Sequence, residues 1–160
     1  GTIGGSVANN DPSACYPSAV LALGATITTN QRSISSDDYF VGMFETALNS
    51  NEIITQISFP IPDKSSYIKF PNPASRYAMV GVFMAKTGNK VNVAITGASE
   101  NGVFRSSEIE NALTSNFTLE SIDGLNISSD GLISDIHASS NYRANLIKQM
   151  AKRALKEIIV

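Results

Sequence analysis

The strongest constraint on the fold is an apolar stripe at the C-terminal end. Ile147, Met150, Ala151, Ala154, Leu155 and Ile158 recur at i, i+3, i+4, i+7, i+8 and i+11, which is the spacing of one helix face. Arg143, Lys148, Lys152, Arg153 and Lys156 fall mainly off that stripe and read as its solvated side. A helix with a single apolar face must bury it against another layer. The chain supplies that layer upstream. Residues 77–85 and 91–96 read as strands joined by the polar Lys86-Thr87-Gly88-Asn89-Lys90, an expected hairpin. A long helix over an antiparallel sheet defines the class as α+β.

Ahead of the hairpin, 67–70 is strand-like and Pro71-Asn72-Pro73 turns the chain. Beyond it, Ser107 and Glu110 have capping-box spacing at the start of a helix carrying Ile109, Ala112 and Leu113. The first sixty residues or so form a second set of elements. Residues 17–23 are a short helical stretch stopped by Gly24, 25–29 and 32–35 read as paired strands around Asn30-Gln31, and 36–40 open a helix. A strand over 53–59 is closed by Pro60 and Pro62. The polar run Asp63-Lys64-Ser65-Ser66 follows, so the expected units are 1–63 and 64–160.

Composition excludes several functions. Twelve basic against fourteen acidic side chains leave a net charge of −2, without the basic footprint of a nucleic-acid binder. Apolar runs fall far short of a bilayer span, so no membrane insertion is expected, and no charged n-region with an apolar h-region is visible before the Gly-Gly segment. Cys15 is the only cysteine, ruling out an internal disulfide or a multi-cysteine metal cluster, and it reads as a small buried side chain rather than a nucleophile. His137, the sole histidine, has no second ligand or nucleophile context for a zinc or triad role. Asp37-Asp38 is read as a solvated helix start rather than an acid–base pair. Arg76 enters a strand after a turn and suits either a carboxylate or a partner subunit. The sequons at Asn116 and Asn126 are chance matches in an Asn- and Ser-rich chain. No catalytic residue and no metal ligand is assigned.

The segment Thr2-Ile3-Gly4-Gly5-Ser6-Val7-Ala8-Asn9-Asn10-Asp11-Pro12 carries the candidate binding chemistry. Adjacent glycines let a backbone approach a bulky ligand, and Thr, Ser, Asn and main-chain N–H groups can bind phosphate oxygens without lysine. On glycine spacing alone an ordinary tight turn reads equally well. The pattern is neither G-x-G-x-x-G nor a Walker loop.

Read with its neighbours, this segment resembles the second flavin-binding motif of the FAD-binding (medium) subunits of molybdenum hydroxylases, the family of carbon monoxide dehydrogenase and xanthine dehydrogenase. Further stretches match in order: Asp11-Pro12-Ser13-Ala14-Cys15-Tyr16-Pro17, Gly42-Met43-Phe44-Glu45-Thr46-Ala47-Leu48, Glu52-Ile53-Ile54, Lys69-Phe70 with Pro73-Ala74-Ser75-Arg76, and His137-Ala138-Ser139-Ser140 with Tyr142-Arg143. The resemblance implies part of a PCMH-type FAD-binding domain followed by a C-terminal domain built on a three-stranded antiparallel sheet. It also implies FAD contacts from Thr2, Ile3, Gly4, Gly5, Ser6, Asn9 and Asp11, an aliphatic contact from Ile54, and Lys69 close to the flavin ring. A cation there favours the anionic reduced flavin by Coulomb attraction. Many relatives have Asp where this chain has Cys15, so that carboxylate contact is missing here, and Asp11 reads either as its substitute or as a cap or turn residue.

In such a family the chain passes electrons from [2Fe–2S] clusters through FAD to an acceptor. Its implied partners are an iron–sulfur small subunit and a large subunit carrying the molybdenum cofactor, in a cytoplasmic dimer of heterotrimers. Family members bind FAD between two Gly-rich loops, and only the second is expected here, so weak FAD binding and no activity are expected of this polypeptide alone. A stand-alone flavin oxidoreductase of the wider FAD-binding fold group, or a non-enzymatic docking module, are the alternatives.

Overall fold

A computed structural model describes residues 1–159. The chain begins with two short helices, α1 (Ile3–Asn9) and α2 (Tyr16–Ala22). It continues through β1 (Thr26–Thr29), β2 (Ser33–Ser35), α3 (Ser36–Tyr39), β3 (Phe40–Gly42), β4 (Glu45–Thr46) and β5 (Ile54–Ser58). Strand β1 lies between β2 and β5, antiparallel to both, with Ile27 opposite Ile34 on one side and Ile57 on the other. Val7, Val20, Ala25, Ile27, Ile34 and Tyr39 pack as the core of this part.

The second part holds β6 (Lys64–Pro71), β7 (Ala78–Thr87), β8 (Lys90–Thr96) and β9 (Phe104–Arg105), antiparallel in that order. Helices α4 (Ser107–Ser115), α5 (Leu119–Asp123) and α6 (Ser140–Ile159) cover the sheet. The stripe of α6 is buried: Ile147, Met150, Ala151, Ala154, Leu155 and Ile158 join Val80, Val82, Met84, Val93 and Ile95 in one cluster. No helix among the described residues is long and apolar enough to cross a membrane.

Several expectations are corrected. The Gly4-Gly5 segment is a helix, not a loop. Thr2 caps it, its Oγ1 accepting the Gly5 N–H at 3.0 Å, and Asn10 ends it in the left-handed region at φ 44°. The strand expected over 67–70 starts earlier, since β6 begins at Lys64, which pairs with Lys86. The five-residue hairpin link contracts to Gly88-Asn89, with Thr87 facing Lys90 and Gly88 at φ 56°. The three-stranded sheet gains the two-residue β9 as a fourth member. Ser107 and Glu110 form no capping box: Ser106 is the cap residue without a side-chain bond, and Glu110 Oε1 instead accepts the Val93 N–H at 2.7 Å and pairs with Arg105. Arg143 is buried, 4% exposed, rather than solvated.

The two parts share a core. Leu21 and Ala22 of α2 pack with Ala94 of β8 and Val103, and Phe40 and Phe83 close over them. Asn92 Nδ2 donates to the Ala22 carbonyl across the same seam at 2.8 Å.

Candidate functional site

Helix α1 stands between two open clefts. The larger, about 560 Å³, is lined by Ser6 and Asn9 of α1, Asp11, Ser13 and Cys15 of the next loop, and Lys69 of β6; Arg76 and Tyr77 form part of its rim. The smaller, about 290 Å³, is lined by Thr2, Gly4 and Gly5 of α1 with Leu48, Glu52 and Ile54. The structure therefore brings Ser6, Asn9, Asp11 and Lys69 together, and Thr2, Gly4, Gly5 and Ile54 together. The helix is the wall between the two sets. Ile3 lines neither and is 42% exposed. The Gly4–Ile54 approach is close but not forced, since a Cβ on Gly4 would sit 3.9 Å from the Ile54 side chain.

Electrostatically the larger cleft favours an anion. Lys69 Nζ donates to the Arg76 carbonyl at 3.1 Å and lies 3.6 Å from Cys15 Sγ. No carboxylate lies within ion-pair distance of Lys69 or Arg76 among the described residues. Asp11 turns Oδ1 into its own loop, accepting the Ser13 N–H at 2.8 Å, and so serves as the turn residue. Below the thiol, burial pushes the Tyr67 phenol well above its ordinary range, and the neighbouring Cys15 adds to the rise. Two cations with hydroxyl and amide donors fit the diphosphate and polar chain of a dinucleotide such as FAD. The smaller, more aliphatic cleft fits its less polar portions.

The smaller cleft rests on a carboxylate clamp. Glu52 Oε1 accepts from Arg32 Nε at 2.8 Å and Thr29 Oγ1 at 3.3 Å, while Oε2 accepts from Arg32 Nη2 at 3.1 Å and the Asn49 N–H at 2.8 Å. Its pKa is held down to about 2, chiefly by the Arg32 hydrogen bonds and then by the Asn49 N–H. Arg32 also donates to the Ala47 carbonyl at 2.6 Å, so one ion pair fixes the loop that leads to Ile54.

Three supporting residues escape residue-by-residue reading. Asn10, fully buried, donates from Nδ2 to the Gly42 and Glu45 carbonyls at 2.7 and 3.0 Å and thereby clamps the Met43-Phe44 tip. Arg143 donates to the Met79 and Gly97 carbonyls at 2.7 and 3.0 Å and to Asp135 Oδ2 at 2.7 Å. Thr96 is buried under the loop of the larger cleft. Arg143 lies beside the His137 motif, which was the available signal. His137 itself is exposed and only its N–H is engaged, with Asp135 Oδ1 at 2.9 Å.

The chain is thus α+β, with a small-residue helix between two clefts, seamed to a helix-covered antiparallel sheet. Residues 1–62 match the model for the FAD binding domain in molybdopterin dehydrogenase. Over 99% of its length the chain is 32% identical to the glyceraldehyde dehydrogenase medium chain of Sulfolobus acidocaldarius, covering 61% of that protein. It is 30% identical over 98% of its length to the nicotine 6-hydroxylase medium subunit of Paenarthrobacter nicotinovorans, covering 60% of it. Reconstituted CO dehydrogenase from Oligotropha carboxidovorans superposes with a TM-score of 0.85 at 25% identity, over 99% of this chain and 60% of that one. The chain is thus similar over nearly its whole length to medium subunits of such dehydrogenases, its first 62 residues matching their FAD-binding domain, and it spans about 60% of the length of these relatives.

Proposed function

We propose that this chain is the FAD-binding, electron-transferring part of a molybdenum hydroxylase, divided at residues 63/64 into a flavin-binding unit and a C-terminal unit. The carrying observation is the larger cleft, where Ser6, Asn9 and Ser13 share a lining with Lys69 and Arg76, neither of which has a carboxylate within ion-pair distance among the described residues. When bound, FAD carries electrons from the iron–sulfur clusters of a small subunit to an external acceptor, while a large subunit with the molybdenum cofactor hydroxylates the substrate. The residues here bind and tune rather than make bonds on substrate. Ser6, Asn9 and Thr2 offer hydroxyl and amide donors to phosphate and ribityl oxygens. Gly4 and Gly5 keep the face of α1 low, so that a ligand can pass from one cleft to the other. Ile54 offers an apolar contact in the smaller cleft. The Lys69 ammonium stabilises negative charge developing near it. Cys15 offers only a weak hydrogen bond where a carboxylate would hold a sugar. The partners follow from the same reading: small and large subunits in a cytoplasmic dimer of heterotrimers.

Both clefts are open, and Thr2, Gly5, Asn9 and Lys69 are exposed. Their hydrogen bonds to a ligand compete with water, so the isolated chain binds FAD weakly. Titration with FAD, followed by flavin fluorescence at low and high salt, tests this. The expected result is weak, salt-sensitive binding that the Lys69→Ala, Arg76→Ala double variant reduces further. Binding indifferent to both salt and these substitutions would overturn the assignment of the cleft. Tight stoichiometric binding would overturn the weak-binding argument. Capture of the iron–sulfur subunit with no FAD binding at all would favour a docking module.

A further inference from the structure

Three consecutive carbonyls of the loop flooring the larger cleft are all held by donors from the C-terminal part. Thr96 Oγ1 lies 2.8 Å from the Pro12 carbonyl and 2.7 Å from that of Ala14. The Gly97 N–H donates to Pro12 at 2.6 Å, and the Ala78 N–H to Ser13 at 3.4 Å. Other bonds in the loop are local, with Ser13 N–H on Asp11 Oδ1 and Ala14 N–H on the Asp11 carbonyl at 3.0 Å. The main-chain acceptors are thus committed to the second part of the chain, while Ser13 and Cys15 line the cleft.

Thr96 is itself fully buried and does not line the cleft. Its rotamer is set from the other side. The facing residue across the hairpin is Gly81, where a Cβ would lie 2.8 Å from Thr96 Cγ2 and 2.6 Å from the Tyr67 hydroxyl. Glycine at 81 makes room for the threonine methyl, which in turn leaves the hydroxyl facing the loop. A hydroxyl has one proton, so Thr96 shares it between the two carbonyls. Ala14 has no other donor among the described hydrogen bonds, whereas Pro12 also has the Gly97 N–H.

We infer that Thr96 is a positioning residue for the cleft. Its buried hydroxyl fixes the loop of residues 12–15 from beneath, and through that loop sets where Ser13 and Cys15 stand. The consequence for ligand binding rests on the cleft being the FAD site. The consequence for loop geometry does not.

The test compares Thr96→Val, which keeps the shape and removes the donor, with Thr96→Ser, which keeps the donor and drops the methyl. Cys15 is the only thiol in the chain, so its reaction with a disulfide reagent in the folded protein reports the loop directly. Loss of one buried hydrogen bond predicts about tenfold faster labelling in Thr96→Val and rescue to within about twofold in Thr96→Ser. FAD affinity, titrated in parallel, falls with Val and recovers with Ser. Wild-type labelling in the Val variant, or equal acceleration in both variants, would overturn the inference. If the wild-type chain shows no FAD binding, the assignment of the cleft fails while the thiol rates still decide the positioning role. If Thr96→Val does not fold, hydrogen exchange in the wild type decides. The Gly97 amide then exchanges as slowly as β7 and β8 if the loop is fixed, and loop-like exchange refutes it.

Discussion

Replacing Gly97 by alanine separates two physical effects that glycine positions usually mix. Gly97 sits at φ 82°, and a Cβ there would lie 2.3 Å from the Ala78 carbonyl oxygen and 2.9 Å from that of Met79. Both obstacles are backbone, so no side chain can swing aside. Left-handed conformation in a non-glycine residue costs about 1–2 kcal/mol. Opening the β7–β8 end by roughly an ångström adds about 1–3 kcal/mol of overpacking strain. The expected loss is about 3–4 kcal/mol, a fall in Tm of roughly 10 °C for a chain of this size. Gly24 is the control, with φ 64° and nothing within 4 Å of a Cβ. Gly24→Ala carries the conformational strain alone, about 1–2 kcal/mol. Urea unfolding followed by circular dichroism measures both variants against the wild type. If they lose the same stability to within about 0.5 kcal/mol, the steric argument is wrong, and with it the close approach of Gly97 to the Ala78 and Met79 carbonyls.

Acid should weaken the chain through Glu52. Its carboxylate is held at about 2 against an ordinary 4.5, so its stabilisation is fully present above 4.5 and is lost as pH falls toward 2. The urea midpoint of the wild type therefore drops across that window, and Glu52→Gln removes this part of the drop; identical pH profiles would refute the clamp. Leu155→Ala, at a fully buried position of α6, should cost about 2–5 kcal/mol by urea unfolding, and a loss below 1 kcal/mol would contradict the packing of that stripe. Because burial and Cys15 raise the Tyr67 phenol, ultraviolet titration of the folded protein should show the same phenolate signal near the ordinary tyrosine range in Tyr67→Phe as in the wild type. A lost tyrosine step there would show Tyr67 to be solvated.

Patterns that span many residues were legible in the sequence. The stripe of α6 is set by burial on one face and the apolar runs of β7 and β8 by burial on both, and single-residue exceptions barely change such patterns. Arg143 was misread because its charge outweighed its position in that argument. The structure buries it because two carbonyls and Asp135 supply what water would. The Gly4-Gly5 helix was missed because glycine is a poor helix former, and the Thr2 cap with tertiary packing of Val7 overrides that preference. The candidate site residues were nominated by the resemblance of their order. Their division between two clefts was not legible, because it depends on where α1 runs relative to β5 and β6. Thr96 and Asn10 give no sequence signal, since their hydrogen bonds reach 84 and 32 or 35 residues along the chain.

The seam between Leu21, Ala22, Ala94 and Val103 has a practical consequence for anyone cutting or grafting this protein. The family match ends at residue 62, which invites excision of a minimal flavin module at that point. Such a cut strips α2 of the surface that covers it and deprives the Pro12 loop of every donor from beyond residue 62. The sequence boundary is therefore not a mechanical one. The smallest transplantable unit carries the hairpin β7–β8 with it, and both sides of the seam are expected to melt in one transition.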